Sequence, residues 1–291
     1  MDWTLGKLLA WAGPYLEKYG VDSPRLSAEL MLGRVMGLSR LALYLNFEKP
    51  LTSAELAEFK KLLIRRREGE PMAYIMGRRE FYGLDFKVGP GVLIPRPESE
   101  HLVEEGIRLL QDAPEPHILD LCTGSGAVAL ALASALPQAR VWAVDISETA
   151  LHYARLNAGS HGLEVNWLGG DLWQPLAACG VFFDLITANP PYVTTAEWRG
   201  LSAEVKNFEP QNALLGGEDG LDIIREIING ARAFLRPLAC LLIEIGAGQA
   251  APAARLAEGA AIYRDIGFVN DLAGHQRVLK CQRSDYGSID N

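Results

Sequence analysis

Apolar residues near the amino terminus recur at helical spacing, with Leu5, Leu8, Leu9 and Ala12 in one segment and Leu26, Leu30, Met31 and Val35 in the next. Gly20-Val21-Asp22-Ser23-Pro24 breaks the chain between them, and Thr52 or Ser53 can cap a further helix running from about Ser53 to Glu68. Nothing in this stretch reads as a strand, so residues 1–70 are expected to form a small helical bundle. The period then changes. Phe81 to Val92 alternates around Gly83, Gly89 and Gly91, the pattern of a hairpin, and residues 71–95 read as a linker that contains it. From Pro97 onward helical and strand patterns alternate. A helix to about Leu110 precedes short apolar runs at His117–Leu121, Arg140–Val144, Val165–Leu168, Asp184–Ala188 and Cys240–Ile245. Such alternation predicts an α/β domain over residues 96–283 with a mostly parallel sheet, closed by a strand pair at Tyr263–Asn270 and Gln276–Cys281. Residues 284–291 are polar and read as a disordered tail.

Composition agrees with a two-domain globular chain: 291 residues, 49% hydrophobic and 22% charged, are enough for an ample core. No apolar run has membrane-spanning length, and Met1-Asp2-Trp3-Thr4 lacks a secretory start, so a cytoplasmic location is expected. Cys122, Cys179, Cys240 and Cys281 are too scattered for a zinc site or a disulfide framework, the histidines show no ligand spacing, and no metal is expected. A net charge of −8 opposes unspecific binding to phosphate backbones. The basic cluster Lys60-Lys61 and Arg65-Arg66-Arg67 reads as a solvated helix face, with docking of an acidic protein patch or RNA as the alternative.

Candidate chemistry lies at two places. Asn189-Pro190-Pro191-Tyr192 ends the apolar run Phe182–Ala188. Two prolines remove two backbone donors and fix two φ angles, so the strand stops on a stiff corner. The Asn side-chain carbonyl and a backbone carbonyl offer acceptors and Tyr192 offers a flat face, which together suit a planar NH2 group. Upstream, the strand His117–Leu121, the turn Cys122-Thr123-Gly124-Ser125-Gly126 and the helical run Ala127–Leu136 form a strand, glycine loop and helix that can admit a ligand close to the backbone. Asp145 ends the next strand roughly twenty residues on, the spacing at which a carboxylate meets ribose hydroxyls. Gly124-x-Gly126-x-x-Ala129 also fits a relaxed dinucleotide fingerprint, so the glycine pattern alone does not exclude NAD. Asp120 and the Asn-Pro-Pro-Tyr corner argue for S-adenosylmethionine, whose ammonium, ribose and adenine need separate polar partners.

On these residues the chain resembles the release factor glutamine N5-methyltransferase family. The resemblance extends to Pro71–Gly77 with Glu80-Phe81-Tyr82-Gly83, to Leu93-Ile94-Pro95-Arg96-Pro97-Glu98-Ser99-Glu100 and to Phe208-Glu209-Pro210. It implies a Rossmann-like methyltransferase sheet with an antiparallel edge strand over 96–283, and a helical substrate-recognition domain over 1–70. It implies transfer of a methyl group from S-adenosylmethionine to a glutamine side-chain nitrogen, that of the Gly-Gly-Gln motif of peptide chain release factors. Glutamine methylation of a ribosomal protein and amino methylation of a nucleic-acid base are the alternatives. Asn189, Pro190 and Tyr192 are the implied catalytic residues, with Pro191 joining them around the substrate. Asp120, Cys122, Thr123, Gly124, Ser125, Gly126, Asp145, Asp171 and Leu172, with Asn189, are the implied cofactor contacts. Glu98 and Glu100 are supporting groups at most. Release factors are the expected partners of a monomer that requires neither nucleic acid nor membrane. Cys122 departs from the family, which usually places glycine there, and Leu172 stands where relatives use an aromatic residue near adenine. Gly248-Gln249 reads as no more than the start of a helix.

Overall fold

A computed structural model describes residues 3–285 apart from positions 178 and 272, so most of the proposed tail lies outside the described residues. The chain falls into two compact units. One takes the described residues up to Arg78 together with Ser202–Phe208, and the other takes Arg79–Leu201 and the chain from Glu209 onward. Ser202–Phe208, inside the expected catalytic stretch, therefore belongs to the helical unit.

The helical unit contains α1 (Leu5–Lys18), α2 (Pro24–Met36), α3 (Arg40–Leu45), α4 (Ser53–Arg67) and α5 (Met72–Met76). The hydroxyl of Thr52 accepts from Glu55 N–H at 3.2 Å while Glu55 accepts from Thr52 N–H at 2.7 Å, a reciprocal cap that starts α4. Leu5, Leu8, Ala12 and Leu16 of α1 pack with Ala28, Met31 and Leu32 of α2 and with Phe59 and Leu63 of α4. The buried face of α2 is thus turned from the one expected, and Leu26 is left exposed. Glu29 explains the shift: it is buried beside that face and held by Arg25 at 3.1 Å and Arg40 at 2.6 Å. The basic run of α4 is solvated at Lys60 and Lys61 but not throughout. Arg66 is buried and paired with Glu204 at 2.8 Å, and Arg65 pairs with Glu70 at 2.6 Å.

β1 (Arg78–Phe81) and β2 (Leu84–Lys87) form a hairpin around Tyr82-Gly83, both at positive φ. It ends earlier than the alternation to Val92 implied. Gly89 and Gly91 instead mark close packing: a Cβ at Gly89 would overlap the Tyr153 hydroxyl, and one at Gly91 would lie 2.9 Å from Thr149 Cγ2.

The second unit continues with α6 (Glu100–Leu110), β3 (His117–Leu121), α7 (Ala127–Ala135), β4 (Arg140–Asp145), α8 (Glu148–His161), β5 (Asn166–Gly169), β6 (Phe183–Ala188) and α9 (Thr195–Gly200). A helix at Asp222–Gly230, β7 (Leu235–Glu244), a helix at Ala250–Gly259, β8 (Tyr263–Asn270) and β9 (Gln276–Arg283) complete it. The seven strands run β5-β4-β3-β6-β7-β9-β8. β3 to β7 pair in parallel, and β9 inserts antiparallel between β7 and β8. The sheet is apolar through its middle, with Leu119, Leu121, Ile186, Leu241 and Ile243 buried in one core. The chain crosses back from β5 to β6 beside β3, which opens a crevice at the carboxyl ends of β3 and β6. No helix among the described residues is long and apolar enough to cross a membrane.

Candidate active site

β3 brings Asp120 to that crevice, level with Thr187 of β6. The carboxylate is buried and accepts the hydroxyls of Thr123 at 2.6 Å and Thr187 at 2.7 Å. Burial pushes its carboxyl up to about 6 against the pull of those hydroxyls, and the Asp145 carboxylate adds to the rise. Neutral donors satisfy its hydrogen bonding without neutralising its charge, so the ionised form is a seat for a cation.

The glycine turn is held from β4. One oxygen of Asp145 accepts Gly124 N–H at 2.7 Å and the other accepts Ser147 N–H at 2.8 Å. Burial raises this carboxyl too, while the backbone donors oppose the rise. Cys122 adopts φ 56°, in the left-handed region that favours glycine, at a cost of about 1–2 kcal/mol. Burial and the carboxylates of Asp145, Asp120 and Asp171 push its thiol up, so Cys122 is a neutral wall residue rather than a nucleophile. Gly126, expected among the cofactor contacts, is closely packed: a Cβ there would lie 2.9 Å from the Trp167 ring and 3.2 Å from Ala154 Cβ.

Asn189 follows β6 directly. Its Nδ2 donates to Ser99 Oγ at 2.9 Å, Ser99 Oγ donates to Glu244 Oε2 at 2.5 Å, and Tyr192 Oη donates to Glu244 Oε1 at 3.1 Å. Glu244 is buried at the end of β7; burial raises its carboxyl and the two hydroxyl donors oppose the rise. The corner's backbone is strapped from two sides. Gln249, at the start of the helix that follows β7, donates to Tyr192 O at 2.9 Å, so Gly248-Gln249 is structural support for the site. Val193 N–H donates to Leu214 O at 2.8 Å and Gly216 N–H returns to Val193 O at 2.9 Å. Gly216 permits this approach, since a Cβ there would lie 2.5 Å from Pro191 O.

Glu209 joins two distant motifs. Buried, it accepts Ile94 N–H at 3.1 Å and the Arg96 guanidinium, tying Phe208-Glu209-Pro210 to Ile94-Pro95-Arg96. Glu100 accepts Tyr82 N–H at 3.0 Å and so supports the hairpin, and Glu98 is exposed.

These elements enclose a cavity of about 400 Å³, within the usual size of small-molecule sites. Asp120, Cys122, Thr123, Gly124, Ser125, Asp145, Asp171, Leu172, Asn189 and Pro191 all line it. Pro190 and Tyr192, expected at the reacting groups, do not line it; the Tyr192 ring packs on the sheet's core. Trp173 lies away from the cavity, stacked on Phe234 at 5.1 Å. Leu93, Pro95, Ser99, Pro210 and Asn212 also line it. Of these, Asn212 had no signal in the sequence, whereas the others belong to two of the motifs that carried the resemblance.

Family descriptions match at residues 7–77, a PrmC N-terminal domain, and at residues 118–208, a methyltransferase domain. The chain is 41% identical over 288 residues to the release factor glutamine methyltransferase of Rhodopirellula baltica, covering 97% of each protein. It is 46% identical over 248 residues to that of Geobacter sulfurreducens, covering 85% of this chain and 86% of the relative. A methyltransferase from Pyrococcus furiosus shares the fold at a TM-score of 0.52, with 17% identity over 69% of this chain and 90% of that one. With sequence likeness running through both units and the Asn-Pro-Pro-Tyr corner facing the same cavity as the glycine turn, the chain belongs to the release factor glutamine methyltransferase family.

Proposed function

We propose that this enzyme transfers a methyl group from S-adenosylmethionine to the side-chain amide nitrogen of a glutamine in peptide chain release factors, leaving S-adenosylhomocysteine. One observation carries the reading: Asn189 and the Asp120, Gly124 and Asp145 group line a single cavity, so an amide held by the first lies beside a cofactor held by the second. The donor set fits such a cofactor. Asp120 would hold the ammonium, the backbone at Gly124 would admit the cofactor closely, Asp145 would hold the ribose hydroxyls, and Asp171 and Leu172 would hold the adenine. When bound, the cofactor's sulfonium supplies an electrophilic methyl group. The chain's task is then alignment of the attacking nitrogen. Asn189 Oδ1 accepts an amide hydrogen, which favours a pyramidal, positively charged nitrogen over the planar amide. An amide oxygen is not basic enough to remove a proton, so methyl transfer precedes loss of the proton to water. With release factors as substrate, the enzyme acts in the cytoplasm, as a monomer whose helical unit recognises the partner.

Incubation with methyl-labelled cofactor and separate samples of release factor, ribosomal proteins and nucleic acid tests the substrate. Label is expected in the release factor and at its Gly-Gly-Gln glutamine; label confined to either other sample overturns the reading.

Asp120 gives cofactor binding a pH dependence. Its carboxyl titrates near 6 in the free enzyme, and an ammonium beside it lowers that value in the complex. Binding therefore releases a proton below that pH, and affinity falls as pH drops through about 6, by at most about tenfold per unit. Calorimetry from pH 8 to 5 should show this loss, and Asp120→Asn should bind weakly at every pH. A flat wild-type profile would remove Asp120 from the ammonium site, and a slope surviving in Asp120→Asn would transfer the effect to Asp145.

A further inference from the structure

We infer that Ser99 and Glu244 are positioning residues that set which atom of the Asn189 side-chain amide faces the substrate. The Asn189 side chain can present either its oxygen or its nitrogen to the cavity, and the two differ by a half-turn of one bond. Only the oxygen can accept a hydrogen from the substrate amide. The choice is made by Ser99 at the cavity wall and by Glu244 behind it. Glu244 is buried at the end of β7 and receives two hydroxyls, Ser99 Oγ at 2.5 Å and Tyr192 Oη at 3.1 Å. A carboxylate only accepts, so the single proton of Ser99 is committed to it. Ser99 Oγ can then only accept from Asn189, and it does so from Nδ2 at 2.9 Å. With Nδ2 so engaged, Oδ1 is the atom left for the cavity that Asn189 lines. The arrangement joins three elements distant in sequence: the turn before α6, the corner after β6 and the end of β7. Ser99 is itself 3% exposed. A side chain that donated to Asn189 in its place would hold the wrong end of the amide.

This inference rests on the proposed role of Asn189 as the amide acceptor, and its tests separate the two. Ser99→Ala should reduce single-turnover methyl transfer to a release factor by tenfold or more, with cofactor affinity within about twofold of wild type. Ser99→Thr, which keeps the hydroxyl, should restore most of the rate. In an Asn189→Ala background, Ser99→Ala should cost less than a further twofold, because a residue acting through Asn189 has nothing left to orient. Undiminished transfer in Ser99→Ala, or a loss that multiplies with that of Asn189→Ala, overturns the inference. A measurement without substrate is decisive even if the wild type fails to methylate release factor, a result that would strike the substrate reading alone. The Asn189 side-chain N–H signals, identified in nitrogen-15 spectra by their loss in Asn189→Ala, should exchange with solvent at least tenfold more slowly in wild type than in Ser99→Ala. Equal exchange overturns the inference.

Discussion

Asn189→Ala is expected to slow methyl transfer about a hundredfold while leaving cofactor affinity within about twofold. The amide nitrogen of glutamine is a poor nucleophile because its lone pair is shared with the carbonyl. An acceptor for its hydrogens contributes most when the nitrogen becomes pyramidal and positive, so the loss appears in the chemical step rather than in substrate affinity. Removing one fixed hydrogen-bonding group from a water-poor site costs on the order of 3 kcal/mol, which sets the hundredfold. Cofactor binding is spared because Asp120, Gly124 and Asp145 stand on β3, on the turn after it and on β4, while Asn189 follows β6. Single-turnover transfer to a release factor, read beside calorimetry with the cofactor, makes the comparison. Near-normal transfer would leave the corner an architectural feature and remove its proposed role in catalysis.

Gly220→Ala should be nearly as damaging, although no part of Gly220 needs to touch substrate. The residue has φ 73°, and an added Cβ would overlap both Tyr192 O and Gln249 Nε2, the two ends of the bond that straps the corner. A left-handed backbone at a Cβ-bearing residue costs about 1–2 kcal/mol, and loss of the strap adds about 1 kcal/mol. Transfer should fall more than tenfold, since a displacement of about 1 Å at the reacting groups has effects of that order or larger. Gly162→Ala is the control. That glycine caps α8 at φ 64° with no neighbour within 4 Å of the added Cβ, so it should lose about 1 kcal/mol of stability with transfer unchanged. Denaturant melts and single-turnover assays on both variants separate backbone strain from displacement of the corner. Equal transfer in the two would show that Gly220 holds nothing the reaction uses.

The order of elements was legible along the chain because it depends on local quantities. Short apolar runs such as His117–Leu121 and Asp184–Ala188 have strand length and lie between helical patterns, and the structure places β3 and β6 at those runs within a residue. The glycine turn and the Asn-Pro-Pro-Tyr corner were visible for a similar reason: glycine and proline act on their own φ angles, whatever surrounds them. Periodicity was less informative where a helix carries apolar residues on several sides. The face of α2 was decided by burial of Glu29 against two arginines, a choice made by partners at other positions. The hairpin ended early because Gly89 and Gly91 answer to Tyr153 and Thr149 of α8, far along the chain.

At the site the same division holds. Asp120, Cys122, Gly124, Asp145, Asp171, Leu172 and Asn189 were chosen from the sequence and line one cavity. Each stands in or beside a turn, or at a strand end whose position is set locally. Tyr192 and Gly126 stand in the same two motifs but do not line the cavity: the first donates to Glu244 and the second packs beneath Trp167. Ser99, Glu209, Gly220, Glu244 and Gln249 support the site from elements as much as 145 residues apart. A hydrogen-bond network of this kind has no spacing along the chain, because its geometry exists only after β6 and β7 lie side by side and the turn before α6 meets their ends. Local residue chemistry determined which groups could act here, and packing across the sheet decided which of them face the cavity and which hold the others in place.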